Sequence, residues 1–353
     1  MKMDFNWESV NGLARALGGR VELLEKVFKE KGLTPAMIQK IVASGFASDF
    51  FDIGDEIIIP WTDYSVDPPV TYEVPHIVVH FGDVEDPEGN IHKNAMWLMW
   101  KYATPNTIQF DSKEVIPETE STFQEGYYYY TATGPYDAYE QQQVEYNTEI
   151  PDGVTYYKHV LPKAEPLLNG GSSAWADSAL RQWLNSCNEK GEWWQPNYES
   201  DLAPQELSSL PGFLTGYEED FISIIKPVKI ISADYTAVAI QETCDRFFIP
   251  TRGNMNGEET NAFIDDCTPW EYWIKVTGFN VPNNAENNGR IIKKINDING
   301  SGVNVFTRSS IKTAMTETSS VIALVRCKNT DGNIKGGTYP SVSYYQLPSC
   351  VIY

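Results

Sequence analysis

No run within the 353 residues is long and apolar enough to span a bilayer, and the opening MKMDFNWESVNGLARALGG lacks the apolar core of a secretory signal. The expectation is a chain made and folded in a reducing cytosol. Histidine is scarce, with four residues, and no two of the five cysteines have the C-x-x-C spacing of a zinc or dithiol redox site. Also missing are the G-x-S-x-G elbow, H-E-x-x-H, the Walker loop and the dinucleotide fingerprint. These absences point away from the common hydrolase, metalloprotease and nucleotide-binding classes, and no cofactor is expected. Basic residues are outnumbered: 27 Lys and Arg face 48 Asp and Glu, a net charge of −21. Such a chain repels phosphate backbones and anionic lipid, so neither nucleic acid nor bare membrane is expected as a partner.

What the sequence does have is a globular balance, 42% hydrophobic and 21% charged, with an unusual load of rings: 20 Tyr and 10 Trp. Rings in that number favour β-rich packing and, on a surface, recognition of sugars or proteins. Residues 1–47 read as a small helical unit. It carries seven Lys/Arg against five Asp/Glu, which leaves −23 for the remainder. VELLEKVFKEKG (21–32) has helical apolar spacing and a closing Gly, and Thr34-Pro35 opens a second helix with Met37, Ile38, Ile41 and Val42 on one stripe. A helix-turn-helix reading competes here with a docking or assembly unit, and the acidic total favours docking. From Phe50 the period changes. FFDIGDEIIIPW, YEVPHIVVHF and NAMWLMWKY, separated by Pro, Gly and Asp turns, are expected strands of an opening β-structure over 48–115. A Tyr-rich stretch over 116–164 reads as inserted β-hairpins. WADSALRQWLNSC (175–187) reads as a helix, and the last third alternates strands with long polar loops.

Several constellations bear on chemistry. His76 and His80 lie in an expected strand, where spacing puts both on one face about 13 Å apart, too far to grip one metal ion. Glu218-Glu219-Asp220 and Asp265-Asp266 are acidic clusters, but catalysis on a glycoside needs two carboxylates facing across a cleft, which spacing alone does not establish. Gln195-Pro196-Asn197 resembles the tripeptide by which calcium-dependent lectins hold Ca²⁺ and a sugar hydroxyl. Their downstream Trp-Asn-Asp is missing, so no metal is expected. Trp193-Trp194 offers rings that could stack on a sugar, but adjacent side chains point in different directions and at least one ring is expected in the core.

From residue 165 onward the chain carries a recognisable order of motifs. Trp-x-x-Ser-x-x-Arg-x-Trp-Leu-Asn comes first, then WWQPN, LPGFLTGYEEDF, PVKI and CDRFFIPTR. Phe-Thr-Arg-Ser (306–309), an Asp-Gly-Asn turn and the terminal LPSCVIY complete it. This pattern resembles a domain family of gut-bacterial phages and prophages. That family is similar in turn to the C-type-lectin fold of formylglycine-generating enzymes and of the variable proteins of diversity-generating retroelements. The resemblance implies an α+β, C-type-lectin-like domain over 165–353, opened by 48–115 and interrupted by 116–164. Arg181 and Arg308 would be scaffold anchors, since a guanidinium satisfies several acceptors at once. A reactive cysteine pair, as in the enzyme branch, has no matching motif: Cys350 lies in the apolar strand CVIY and is expected to be buried and inert.

The same resemblance implies a ligand face near the C-terminus, within 307–353. Its Ser, Thr, Asn and Tyr content is the mixture that antibody loops use. The candidate contacts are Ser310, Lys312, Thr313, Thr316, Thr318, Asn329, Lys335, Tyr339, Ser341, Ser343, Tyr344 and Tyr345. The implied function is a non-catalytic virion-surface binder of a host glycan or protein. It would dock to other virion proteins through residues 1–47 and gain avidity as a homo-oligomer. A structural virion component and a glycan-acting enzyme are the competing readings.

Overall fold

The computed structural model describes residues 34–112, 118–120, 128–131, 156–159, 171–196, 201–234, 239–256, 268–277, 296–297, 301–311, 324–328 and 334–353. Side chains are described for all of these except 118–120, 128–131, 156–159, 256, 276–277, 310–311, 324–328 and 334–337. The first helix expected over 21–32 lies outside the described residues. The second begins as Thr34-Pro35 foretold: Thr34 Oγ1 accepts from Met37 N at 3.4 Å, and helix Pro35–Ala43 follows. Its Ile38, Ile41 and Val42 are buried in the main core. This helix is therefore part of the body and does not stand apart from it.

Strands come in chain order. β1 (Glu56–Asp63), β2 (Val70–Glu85) and β3 (Ile91–Trp100) form the opening meander, and β4 (Ile108–Gln109) follows. The short strands β5 (Glu118–Glu120), β6 (Tyr128–Thr131) and β7 (Tyr156–His159) pair with one another within the Tyr-rich stretch. β8 (Val228–Ala233) and β9 (Ile240–Asp245) make a ribbon, and β10 (Phe247–Phe248) is brief. Last come β11 (Val305–Ile311), β12 (Leu324–Lys328), β13 (Ile334–Thr338), β14 (Ser343–Tyr344) and β15 (Ser349–Ile352). The protein is mixed α+β, richer in sheet than helix, and every named strand pair among the described residues is antiparallel.

The central sheet has the order β1-β2-β3-β15-β10. Its edge strand β1 exposes Ile58, yet Pro60 falls on the outer edge and removes one donor that a stray strand would need. The side on which Pro60 lies follows from the register. Ile58 and Pro60 pair with Pro75 and Glu73, and Pro75 turns its carbonyl away from β1 to accept from Lys101 N.

Both faces of this sheet are covered. Directly paired residues share a face, so Trp61, His76, Trp100, Leu98 and Cys350 lie on one side and Trp97, Met99 and Phe248 on the other. The first face packs on Phe213, Tyr217 and Phe221. Trp100 meets Trp61 edge-on at 5.2 Å between centroids, and Tyr217 stacks on Phe247 at 5.4 Å. The second face packs Trp97 against Phe248 and Trp270. β2 carries a bulge between Val78 and His80. His76 pairs with Trp100 but His80 pairs with Trp97, three residues away on β3. The two histidines therefore lie on opposite faces, not the one face that strict alternation predicts, because one extra residue inverts the alternation.

His76 is fully buried and its tautomer follows from its partners. Nδ1 lies 3.0 Å from Val74 O, which can only accept, so Nδ1 carries the proton. Nε2 then accepts from the Tyr217 hydroxyl at 3.1 Å, and the Tyr217 oxygen accepts from Trp100 Nε1 at 2.8 Å. Burial holds the imidazole down to about 4. The helix Ala179–Leu184, capped by Ser178, is shorter than the 175–187 pattern suggested, since Trp175–Asp177 form a turn. It aims Arg181 at Asp245, whose buried carboxylate accepts from Arg181 Nε at 2.7 Å, Trp175 Nε1 at 2.8 Å and Thr243 Oγ1 at 2.6 Å. Arg308, also buried, donates to Ile249 O at 2.9 Å and sits over the Phe248 ring. Both arginines are anchors of the kind expected.

With His76 depressed in the native state, the unfolded chain binds more protons between pH 4 and 6.5. Stability is thus full above about pH 6.5 and falls by about 3 kcal/mol as pH drops to about 4. Denaturant melts across that range should show the slope, and His76→Gln should flatten it whatever its effect on stability at pH 7. Arg181→Met leaves the Asp245 carboxylate buried without its cation and should cost about 3 kcal/mol, a loss that Asp245→Leu in the same chain should partly relieve.

Candidate functional site

The run that leads into β15 is where the expected ligand segment has candidate contacts with described side chains. Tyr339-Pro340-Ser341-Val342 is a turn closed by Val342 N donating to Tyr339 O at 3.0 Å. Proline at its second position supplies the backbone angle such a turn needs. The turn is held from beneath. Pro340 O accepts from both Phe110 N and Asp111 N, and Gln109 Nε2 donates to Ser341 O at 2.7 Å. β14 then pairs with β4, Ser343 opposite Gln109 and Tyr344 opposite Ile108. On its other side, Tyr345 N donates to Asn304 O and Tyr345 O accepts from Phe306 N. Gln346 closes the clamp: buried, it exchanges bonds with Thr104 and donates to Ile108 O and Tyr344 O.

Of the twelve candidate contacts, the structure brings together Tyr339, Ser341, Ser343, Tyr344 and Tyr345 on this turn and strand. Tyr339 is 46% exposed, with Val342 beside it at 38%, and the other four are half-buried. Tyr344 and Tyr345 pack against the core, and the Tyr344 ring lies 5.0 Å from Phe306. Tyr344 is thus a framework residue, because its ring packs on Phe306 while its backbone pairs with Ile108. Lys335 is in β13, whose last residue Thr338 leads straight into the turn, and Ser310 is in β11; their side chains are not described. Lys312, Thr313, Thr316, Thr318 and Asn329 lie outside the described residues.

Beside this rim is a cleft of about 330 Å³ that sequence reasoning did not locate. Its walls are the end of β1 with the following loop (Trp61–Val66), the loop Thr104–Ile108, Trp183, and the segment from Glu206 to Gly216. Trp61, Trp183 and Phe213 form its buried apolar back, and exposed Tyr64 and Val66 stand at its mouth. Glycine is required at Gly216, where any side chain would collide with the Trp61 indole. Asp63, almost fully buried, accepts from Ser65 N at 2.8 Å and from Asn106 Nδ2 at 3.2 Å; Asn106 also donates to Ser65 Oγ at 2.7 Å. Glu206 Oε1 accepts from Gln109 N at 3.1 Å and from Ser343 Oγ at 3.0 Å. That last bond ties the cleft wall to the rim. Asp63, Asn106 and Glu206 are far apart in sequence, and no motif joins them.

Trp193 is buried and donates to Leu210 O, while Trp194 is partly buried against it. Gln195 is bonded through its backbone to the Gln182 amide, and Asn197 lies outside the described residues. Among the described residues no group of His, Cys, Asp and Glu could hold a metal ion. Glu219 and Asp220 occupy the first turn of helix Glu219–Ile224, where acids suit the helix dipole, and Asp265-Asp266 are not described. Cys350 is buried, and burial pushes its thiol well above the usual range. Among the described residues no helix is long and apolar enough to cross a membrane.

The fold and this rim-and-cleft arrangement define a mixed α+β protein with a concave, acid-and-aromatic site beside a rigid polar turn. No protein-family model, curated protein or solved structure matches the chain.

Because Tyr344 is a framework residue, Tyr344→Ala should lower stability by about 2 kcal/mol in denaturant melts, whereas Tyr339→Ala should change it by less than about 0.5 kcal/mol.

Proposed function

We propose that this protein is a non-catalytic ligand binder displayed on a phage or prophage virion. Its C-type-lectin-like domain presents the C-terminal segment 307–353 to a glycan or protein on the host surface. The observation that supports this most is the rim itself: an exposed tyrosine and small polar residues on a turn whose backbone is fastened to buried structure at Pro340, Ser341, Tyr345 and Gln346. Rigid rings with adaptable hydroxyls, mounted on a frame that does not move on binding, are what a recognition surface needs. A single such face binds weakly, so display in several copies belongs to this reading.

Attachment of the labelled protein to host cells tests the proposal. Tyr339→Ala should weaken attachment by at least about 30-fold, as for a central aromatic anchor, while its unfolding curve stays that of the unsubstituted protein. Unchanged attachment by Tyr339→Ala, or turnover of host-surface glycans by the pure protein, would overturn it.

A further inference from the structure

We infer that the cleft between β1, the Thr104–Ile108 loop and the Glu206–Gly216 segment binds a single neutral sugar ring. The inference rests on reading the chain as a binder, but it concerns different residues from the rim and names the ligand by class.

Size comes first. About 330 Å³ is at the low end of the roughly 300–1,000 Å³ typical of small-molecule sites, enough for one ring and not for an oligosaccharide. Charge comes second. Among the described residues the lining contains Asp63 and Glu206 and no Lys, Arg or His, so an anionic group, whether phosphate or sugar carboxylate, would meet repulsion from these acids. The hydrogen-bonding inventory comes third. Asp63 uses one lone pair on each oxygen, towards Ser65 N and Asn106 Nδ2, and a carboxylate has about four. Both bonds of Glu206 fall on Oε1, which leaves Oε2 for a ligand. Asn106 Nδ2 spends its hydrogens on Asp63 and Ser65, so its Oδ1 is left to accept. Beside these acceptors stand donors: Ser65 Oγ, which accepts from Asn106 and keeps its own hydrogen, and the hydroxyl of Tyr64.

A ligand for this site must therefore give several hydrogen bonds and also take some. Hydroxyl groups do both. An ammonium group only donates, and would leave the Ser65 and Tyr64 hydrogens without a partner. The remaining wall is apolar and aromatic, with Trp61, Trp183 and Phe213 behind and Tyr64 at the mouth, which suits the C–H face of a pyranose. Hydroxyls on one face and C–H groups on the other are the chemistry of a neutral hexose.

Saturation-transfer NMR on the full chain tests this with methyl glycosides of glucose, galactose, mannose and N-acetylglucosamine. N-acetylneuraminic acid serves as the anionic arm and cadaverine as the ammonium arm. At least one neutral glycoside should receive saturation at its ring protons, and neither charged probe should. Tyr64→Ala, at an exposed position, should weaken that binding about tenfold without moving the unfolding midpoint, and Asn106→Ala should weaken it similarly while also lowering the midpoint, since it takes a donor from the buried Asp63 carboxylate. Saturation of cadaverine or N-acetylneuraminic acid alone, of no probe at all, or of a sugar whose binding survives both substitutions would overturn the inference. The two proposals fail separately. Sugar binding in the cleft with normal attachment by Tyr339→Ala would sink the rim's role and leave the cleft standing, and the reverse pattern would do the opposite.

Discussion

The last strand of the chain sits in the interior of the central sheet, and the rest of the structure is arranged around that constraint. β15 pairs Ser349–Ile352 with Met96–Met99 on one side, and Ser349 and Cys350 with Phe248 and Phe247 on the other. A central strand must satisfy its backbone on both edges and bury both faces. All four of its residues are accordingly buried. Pro348 O accepts from Trp100 N, and Gln346 and Thr104 exchange bonds just before it, so the register of β15 carries back along the chain into the turn at Tyr339–Val342. The candidate rim is rigid because it is the run-in to a core strand and not a free loop. A surface segment of polar residues would otherwise carry the entropy of a loop into any complex it formed.

The acidic composition raises a second constraint, since carboxylates taken out of water need partners of their own. The buried ones are satisfied in different ways. Asp245 has a guanidinium, an indole N–H and a hydroxyl. Asp111 accepts from the backbone of Ser172 and Ala179, joining two distant segments. Asp63 has only neutral donors and stands in the wall of the cleft. The difference matters for function. A carboxylate neutralised by arginine is structural, whereas one held by an amide and a main-chain N–H keeps lone pairs for something else. The same reasoning separates Arg181 and Arg308, spent inside the fold, from the cleft, which has no cation among its described residues.

Much of the architecture was legible. Alternation and turn residues located β1, β2 and β3, and the Thr34-Pro35 start, the burial of at least one ring of Trp193-Trp194 and of Cys350, and the anchoring roles of Arg181 and Arg308 followed from residue chemistry. The failures have physical causes. A single bulge in β2 placed His80 on the opposite face from His76, because pattern reading assumes an unbroken period of two. Tyr344 and Tyr345, equivalent to Tyr339 by composition, are half-buried because pairing and ring contacts are made by residues far away: Ile108, Asn304 and Phe306. The helix Pro35–Ala43, read as part of a docking unit, buries its apolar stripe in the main core.

By itself, then, the sequence determined much of what individual segments are: where β1, β2, β3 and the helix after Thr34 run, and that the Cys350 thiol is buried. These are local properties, set by spacing along the chain and by the cost of burying each side chain. The tertiary structure alone decided which surfaces exist. The cleft is made of a strand end, a loop and a helical segment that meet only because the sheet and its covering elements bring them together. Tyr339 stands out from Tyr344 only because one faces solvent and the other a phenylalanine more than thirty residues earlier. Contacts of that kind depend on how elements pack, and spacing along the chain carries no record of them.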